Sequence, residues 1–495
     1  MKHFLDWMVI AMYGIGMLAI GVYYKRKTKT TDDYMLGGRK MKSWSVGLSL
    51  FATLFSAITY LAMPGEMIMY GPMMWCKLAS LPFVFLVVGW FLIPYIMKLR
   101  ISSAYELLEV RLGVRIRILA SFFFLLMRLI WMAVIIYMVA QKVIMPVMGW
   151  SENTAIWVSM SLGIVTIIYT SLGGLRGVVL TDVIQSFILF GGTILAIIII
   201  INHFGSFSDL IPTEWPEHWA EWKFFDVNTR VSFMTVVISV FGWYVCTSGS
   251  DQMAIQRYLA TRDAKAARKA FLYSMISNIF VYLMLAVLGI ALLAYYKANP
   301  DLITGGKSLI NVADSLFPQF IAHGFPVGIS GLVFAGLLAA AMSSLSSGIN
   351  SSSLVALNDF IVRFKKQKLS QSTQVKWARI ISFVIGFVII LLSLGIGNVK
   401  GNLLEITFKT VNLLVAPLFV PFFMAMFVNR STENAVLTGT ITSALAAVFI
   451  SFSNELFNLS ISFLWIIPGS FTVGVVVSYL LSMIMPVEKP VNKLE

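Results

Sequence analysis

The chain has 495 residues, 58% of them hydrophobic and only 12% charged, with a mean hydropathy of +0.85; a soluble domain is about half apolar and about a quarter charged, so a soluble globular fold of this length lacks the polar surface it needs. The net charge of +14 sits in short segments between apolar runs, among them Lys25, Arg26, Lys27, Lys29, Arg39, Lys40, Lys42 and Arg257, Arg262, Lys265, Arg268, Lys269; this is the basic-loop bias of membrane proteins and argues against a nucleic-acid surface. Cys76 and Cys246 lie in apolar runs and the four His show no ligand spacing, so neither a disulfide framework nor a metal centre is indicated.

In chain order, the hydropathy pattern predicts about thirteen transmembrane helices, at 5–24, 45–71, 73–97, 118–149, 155–173, 177–203, 230–253, 271–296, 326–361, 375–396, 403–427, 433–452 and 460–484. Most are near the roughly 20 residues that cross about 30 Å of hydrocarbon. The first lacks the short core and cleavage site of a signal peptide and is expected to be retained. The fourth exceeds what a bilayer needs and is expected to tilt or to continue outside it. An external N-terminus and a cytoplasmic C-terminus concentrate Lys and Arg in the cytoplasmic segments 25–44, 98–117, 174–176, 254–270, 362–374 and 428–432 and in the tail; the opposite orientation inverts that bias. With no organelle-type signal, the expected location is the inner (plasma) membrane of a prokaryote.

No segment is long enough for a separate soluble domain, and no GxxxxGK[ST] loop is present, so transport is expected to draw on an ion gradient rather than ATP. No GxSxG motif or His-rich cluster supports an enzyme. A sensor that keeps a transporter fold is a rival class, disfavoured because no cytoplasmic output domain is visible.

Three spans interrupt the apolar pattern with small and hydroxylic residues. They are Ala52-Thr53-Leu54-Phe55-Ser56-Ala57-Ile58-Thr59 before Pro64-Gly65, Cys246-Thr247-Ser248-Gly249-Ser250-Asp251-Gln252, and Ala339-Ala340-Ala341-Met342-Ser343-Ser344-Leu345-Ser346-Ser347. Helix packing alone accounts for small residues. The sharper reading is a hard cation held by free carbonyls of an unwound helix and by hydroxyls of its neighbour. Ser343, Ser346 and Ser347 share a helix face. The first two interruptions are five spans apart, which suits two five-helix repeats of opposite orientation. Charges at bilayer depth usually face a cavity or a partner: Asp182, Lys77, Arg128 and Lys409 lie within spans, and Asp251 lies near an end. Asp182 also has a plainer reading, as an acid at a helix N-terminus.

Asp32-Asp33-Tyr34 with Gly37-Gly38-Arg39, Ile101-Ser102-Ser103-Ala104-Tyr105-Glu106, Gly173-Gly174-Leu175 before Thr181-Asp182, Gln256-Arg257-Tyr258-Leu259 and the Ser343 to Asn350 run are each short. In this order and placement they resemble the sodium:solute symporter family, from about residue 30 to 430. The resemblance implies an all-α integral membrane protein of the leucine-transporter type. Its parts would be a leading helix and loop (1–44), a first five-helix repeat (45–203), an external loop (204–229), a second inverted repeat (230–427) and two trailing helices with a tail (428–495). It implies a sodium site of the Ala52, Phe55 and Ala340 carbonyls with the Ser343 and Ser344 hydroxyls. A second sodium site, seen in some members, would use Asp182, Ser343, Ser346 and Ser347.

The Arg that pairs with the substrate carboxylate in sialic-acid-transporting relatives aligns with Trp131, one turn from Arg128. Lys409 stands where sugar transporters have Gln, and Asp251 stands near a position held by Asn. Several cations favour an anionic solute, an acidic sugar such as sialic acid or a small monocarboxylate, bound by Lys77, Arg128 and Lys409. Ser56, Thr59, Asp251 and Gln252 complete the expected substrate site; a neutral sugar is the alternative. Na+, the solute and the bilayer are the expected partners, with no nucleic acid.

Overall fold

Inside lipid the backbone must satisfy its own hydrogen bonds, and a single apolar run can do so only as a helix. In the computed structural model, which describes residues 4–99, 101–148, 150, 154–303, 308–365, 369–395, 408–409 and 411–485, every regular element among the described residues is helical. In chain order these include α1 (Phe4–Lys27), the short α2 (Thr31–Leu36), α3 (Ser43–Leu54), α4 (Ala57–Tyr70), α5 (Pro72–Lys98), α6 (Glu106–Arg111), α7 (Val114–Val139) and α8 (Ala155–Phe204). They continue with α9 (Phe233–Ser250), α10 (Gln252–Leu259), α11 (Ala264–Ala298), α12 (Ala313–His323), α13 (Ile329–Val362), α14 (Gln371–Gly395), α15 (Asn412–Phe427), α16 (Glu433–Ser451) and α17 (Phe463–Ile484). Exposed faces carry large apolar side chains, such as Phe83, Trp90 and Phe91 on α5 and Phe383, Val384 and Phe387 on α14. Lipid is the solvent those faces meet.

The span count differs from the thirteen expected. Ten described helices are long and apolar enough to cross a membrane, or eleven when the bent pair α3–α4 is one span. The difference lies in two places. Two expected spans run together as the 50 residues of α8, which as a straight rod would reach about 75 Å, more than twice a bilayer's hydrocarbon thickness. They are in fact two helices joined across Gly174, whose φ of 59° and ψ of −165° are non-helical. In the second place, Asn412–Phe427 is shorter than a full span; residues 403–407 and Thr410 of that expected span, like the tail beyond 485, lie outside the described residues. The long fourth span ends its regular helix at Val139 and continues through a π-turn, Ala140–Ile144, into Met145–Met148.

Several of the short motifs prove to be joints. A β-carbon on Gly174 would lie 2.7 Å from the Tyr34 carbonyl oxygen, so the break is reserved for glycine by both conformation and space. Thr30 caps α2 by accepting from the Asp33 amide, Arg39 pairs with Asp32 at 2.9 Å, and Arg176 beyond the break bridges Asp33 and the Gly37 carbonyl, each at 2.9 Å. The Asp-Asp-Tyr and Gly-Gly-Arg residues thus bolt α2 to the turn in α8. At the chain start, Asp6 accepts from Gly328 N (2.8 Å), Ser330 Oγ (2.6 Å) and Gly331 N (3.1 Å). The two amides are orphan donors of the α13 N-terminus, and a carboxylate supplied from α1 satisfies them together with the Ser330 hydroxyl. Among the central contacts, α8 packs broadly on α13 and α1, and α11 on α3 and α4; α13 is buried over most of its length.

Candidate functional site

The bend between α3 and α4 is 65°. It falls where Phe55 (φ −93°, ψ 96°) and Ser56 (φ −81°, ψ 161°) are extended, and Ser56 restarts the helix by accepting from the Thr59 amide at 3.3 Å. A serine cap is the local reason that the chain can stop and begin again here. The interruption frees the last carbonyls of α3, which is the sequence expectation for this span. The Ser343 hydroxyl on α13 donates to the Ala52 carbonyl at 3.0 Å. Ala52, Phe55, Ala340 and Ser343 together line a void of about 10 Å³, with Gln185 and Ser186 of α8 on its far side. That volume admits about one water-sized sphere. Ser344, fully buried, has a hydroxyl oxygen with no hydrogen-bond partner among the described residues. Four of the five expected ligands of the first sodium site therefore surround one ion-sized space, and the fifth has an unspent oxygen.

Around Asp182 the arrangement is different. Its Oδ2 accepts from Ser49 Oγ at 2.6 Å and lies 3.5 Å from Arg257 Nη2, while Oδ1 has no partner among the described residues. Arg257 also donates to Ser347 Oγ at 2.5 Å, and Ser347 exchanges a 2.9 Å hydrogen bond with Thr53. Ser346 donates to the Ser343 carbonyl at 3.0 Å. Arg257 is fully buried, not a loop residue as its place in the basic run 254–270 suggested. Its guanidinium already balances the charge that a second sodium would use. The signal for it was present: it follows the second helix break by one and a half turns, which returns it toward the core.

A larger cavity, about 120 Å³, opens beside the bend. Ser56, Thr59 and Thr247 of α9 line it with Lys77 of α5 and Arg128 and Trp131 of α7, and Trp243 and Tyr244 of α9 with Tyr282 of α11 add aromatic rings. Phe408, Val411, Asn412 and Val415 supply another face, and Trp243 Nε1 donates to Asn412 Oδ1 at 3.2 Å. Lys77 is 6% exposed; its Nζ is 3.3 Å from Met63 Sδ and 3.5 Å from the Tyr282 ring centroid, with no carboxylate partner among the described residues. Arg128 also reaches the cavity, with its guanidinium 4.7 Å from the Trp131 ring, but it is ion-paired to Asp251. Lys77 is therefore the cation of this cavity with no direct ion pair among the described residues; the Glu66 carboxylate, which acts on it from farther off, is paired with Arg230.

Three expected substrate residues lie elsewhere. Asp251 is taken by Arg128 and by the Met253 amide at 2.8 Å, which it caps as α10 begins. Gln252 accepts from the Ala104 amide at 2.7 Å and donates to the Ser102 carbonyl at 3.3 Å. Lys409 points away from the cavity to Glu455, 3.1 Å away. The reason is helical register: 408, 411, 412 and 415 share one face, and 409 is about 100° off it. Trp243, Tyr244, Tyr282 and Asn412 were missed by sequence reasoning: aromatic residues in a greasy helix carry no local signal for a cavity, and the signal for Asn412 was a lone amide within an apolar run.

Beyond Arg128–Asp251, toward the start of α7, lies a further ionic layer. Arg117 pairs with Asp359, which also accepts from Ser103 Oγ (2.7 Å) and Ser121 Oγ (3.0 Å). Glu109 of α6 takes Arg117 at 2.7 Å and Arg363 at 2.6 Å. Burial pushes the Glu109 carboxyl up, but the two guanidiniums outweigh it and hold it below its ordinary value.

A span bent by 65° at an extended joint, with its carbonyls facing a hydroxyl-rich partner helix, and an ion-paired layer beside a central cavity are the features of an ion-coupled secondary transporter. The comparisons agree: residues 34–443 match the sodium:solute symporter family, and the chain belongs to it. It is 30% identical over 467 residues to the sodium/sialic acid symporter SiaT of Proteus mirabilis, covering 92% of this chain and 90% of that protein. It is 28% identical to the sodium/sialic acid symporter NanT of Aliivibrio fischeri, over 91% and 88% of the two chains. A solved structure of a Na+-coupled sialic acid symporter, substrate-bound and outward-open, superposes with a TM-score of 0.86 at 27% identity over 99% of this chain and 100% of that one. This chain is thus a multi-pass membrane symporter that couples sodium to a small-molecule solute, with the leucine-transporter type of fold, and not an enzyme.

Proposed function

We propose that the solute is an organic anion with one carboxylate, an acidic sugar such as sialic acid or a small monocarboxylate, and that Lys77 receives the carboxylate. The observation that carries this reading is the buried, carboxylate-free ammonium of Lys77 in a cavity whose other cation is already neutralised. A buried unpaired charge is costly, and an anionic solute relieves that cost when it binds. Ser56, Thr59 and Asn412 supply neutral hydrogen-bonding groups, and Trp131 and Trp243 supply walls for the rest of the solute. The sialic acid symporters among the relatives support the same class.

In this reading sodium is held by the Ala52, Phe55 and Ala340 carbonyls with Ser343 and Ser344. Its charge bridges the end of α3 to α13 and fixes the bend that presents Ser56 and Thr59. A second sodium at Asp182, Ser343, Ser346 and Ser347 requires Arg257 to withdraw, so one ion per cycle is the simpler stoichiometry. The repeats 45–203 and 230–427 rock about this centre, and the Arg128–Asp251 and Arg117–Asp359 layers part when it opens to the other side. Basic residues between spans support a cytoplasmic C-terminus and an external N-terminus in the inner membrane.

The test is thermal stabilisation of the purified protein by a panel of acids and sugars in sodium or potassium, since a ligand of the folded state raises the apparent melting temperature. A shift with one carboxylate solute, larger in sodium, is expected. Stabilisation by neutral sugars alone contradicts the role of Lys77.

A further inference from the structure

A second concavity, larger than the cavity beside the bend, is remote from solute and sodium. It is a groove of about 690 Å³ between α1, the first turns of α8 and α13, lined almost wholly by apolar atoms, with Trp7, Gly14 and Leu18 on one wall, Trp157 on another and Leu338 and Met342 at its base. Two of the hydroxyls along it, Tyr13 and Ser161, are hydrogen-bonded within the protein. Tyr13 accepts from Gln185 Nε2 at 2.8 Å, and Ser161 donates to the Trp157 carbonyl at 2.8 Å. A cavity with so few free polar partners does not hold water.

Its place and length identify what fills it. Trp7 and Trp150 stack at 6.0 Å, and Trp157 is 68% exposed beside them, the pattern of rings that mark the headgroup level. From Trp7 to Leu18 the wall runs about 16 Å along the α1 axis, close to the roughly 15 Å depth of one leaflet's hydrocarbon. A groove that starts at a tryptophan rim and ends one leaflet deep has the dimensions of a single acyl chain.

We propose that this groove binds one acyl chain of a phospholipid and that the bound chain braces the sodium site. The coupling half rests on the sodium reading above. Met342 at the base precedes Ser343, and Tyr13 on the wall holds Gln185, which also lines the sodium void. A filled groove holds α1 and this turn of α13 in place; an unfilled one leaves both without packing on that side.

The test uses nanodiscs of a phosphatidylcholine with a photoactivatable diazirine in its acyl chain, with labelled peptides mapped by mass spectrometry. A β-carbon on Gly14 would meet no atom within 4 Å, so a side chain can leave the backbone there without a clash, and Gly14→Trp places an indole in the groove. Label is expected to concentrate on peptides from 4–27, 154–165 and 334–342. It should fall several-fold there in G14W, while α14 and α17 label equally in both proteins. Labelling of the groove no stronger than that of α14 and α17, or unchanged in G14W, overturns the site. On delipidation in detergent the unaltered protein is expected to bind sodium several-fold more weakly than in nanodiscs, and G14W, whose indole packs the groove in the chain's place, to lose much less; equal losses overturn the coupling. Absence of sodium binding in the unaltered protein would be a failure of the sodium reading, separable because the labelling pattern does not depend on it.

Discussion

Lys77 and Lys409 make the sharpest contrast between two residues that look alike in the sequence. Both are lysines inside apolar runs, yet one faces the cavity without a carboxylate and the other reaches Glu455 at a half-exposed edge. Lys77→Gln should weaken binding of the carboxylate solute by about 1.5–3 kcal/mol, roughly 10- to 150-fold, as expected for a charge-assisted hydrogen bond. Lys409→Ala removes a surface pair worth about 0–1 kcal/mol and should leave solute affinity nearly unchanged. Titration calorimetry on the two variants decides the matter, and equal losses would place the solute elsewhere. Arg257 gives a second test. Removing one partner of a buried ion pair costs about 3–5 kcal/mol, so Arg257→Gln should melt well below the parent in potassium. Because Asp182 is then unbalanced, sodium should recover more of the melting temperature in R257Q than in the parent; equal sodium shifts would mean that Asp182 does not meet the ion.

At the scale of elements, the breaks organise the molecule. Gly174→Ala would put a methyl where Tyr34 lies, in a backbone conformation that costs other residues about 1–3 kcal/mol. Its expected result is a lower melting temperature with the solute-to-sodium affinity ratio unchanged, measured in the same thermal assay. The ionic layer of α6, α7 and α13 predicts a pH dependence. Glu109 has its folded value depressed, so its stabilisation is fully present above the unfolded carboxyl value of about 4.3 and is lost as the pH falls through the folded one. Melting temperatures taken from pH 6 downward should therefore fall less steeply below about pH 4.3 in Glu109→Gln than in the parent; identical profiles would remove Glu109 from the layer. Both breaks at the α3–α4 and α9–α10 joints were legible in the sequence, since Ser56 and Asp251 are capping residues beside small-residue runs. The division of α8 was legible too, since hydropathy reads 155–173 and 177–203 as two apolar runs on either side of Gly174; the α2 clamp on that joint was not, because its contacts come from residues far apart in the chain.

For the whole molecule, composition alone settled lipid as solvent, and the hydroxyl-rich runs named residues that line the small void beside the α3–α4 bend. The lining of the larger cavity was only half legible. Ser56, Thr59, Lys77, Arg128 and Trp131 all line it, whereas Asp251 and Gln252 serve the layer below and Lys409 faces out. Sequence pattern tells which helix a polar residue sits on, but its direction depends on a rotation of about 100° per residue relative to neighbours not yet placed. Because sodium and solute favour the same conformer, each is expected to raise the other's affinity by an equal factor. The most direct test is uptake of radiolabelled sialic acid into sealed proteoliposomes with an inward sodium gradient. The account predicts accumulation above the external concentration in sodium, collapse of that accumulation when the gradient is dissipated, and none in potassium. Equal uptake in sodium and potassium would contradict sodium coupling; a sodium-driven uptake seen only with neutral sugars would contradict the organic anion on Lys77.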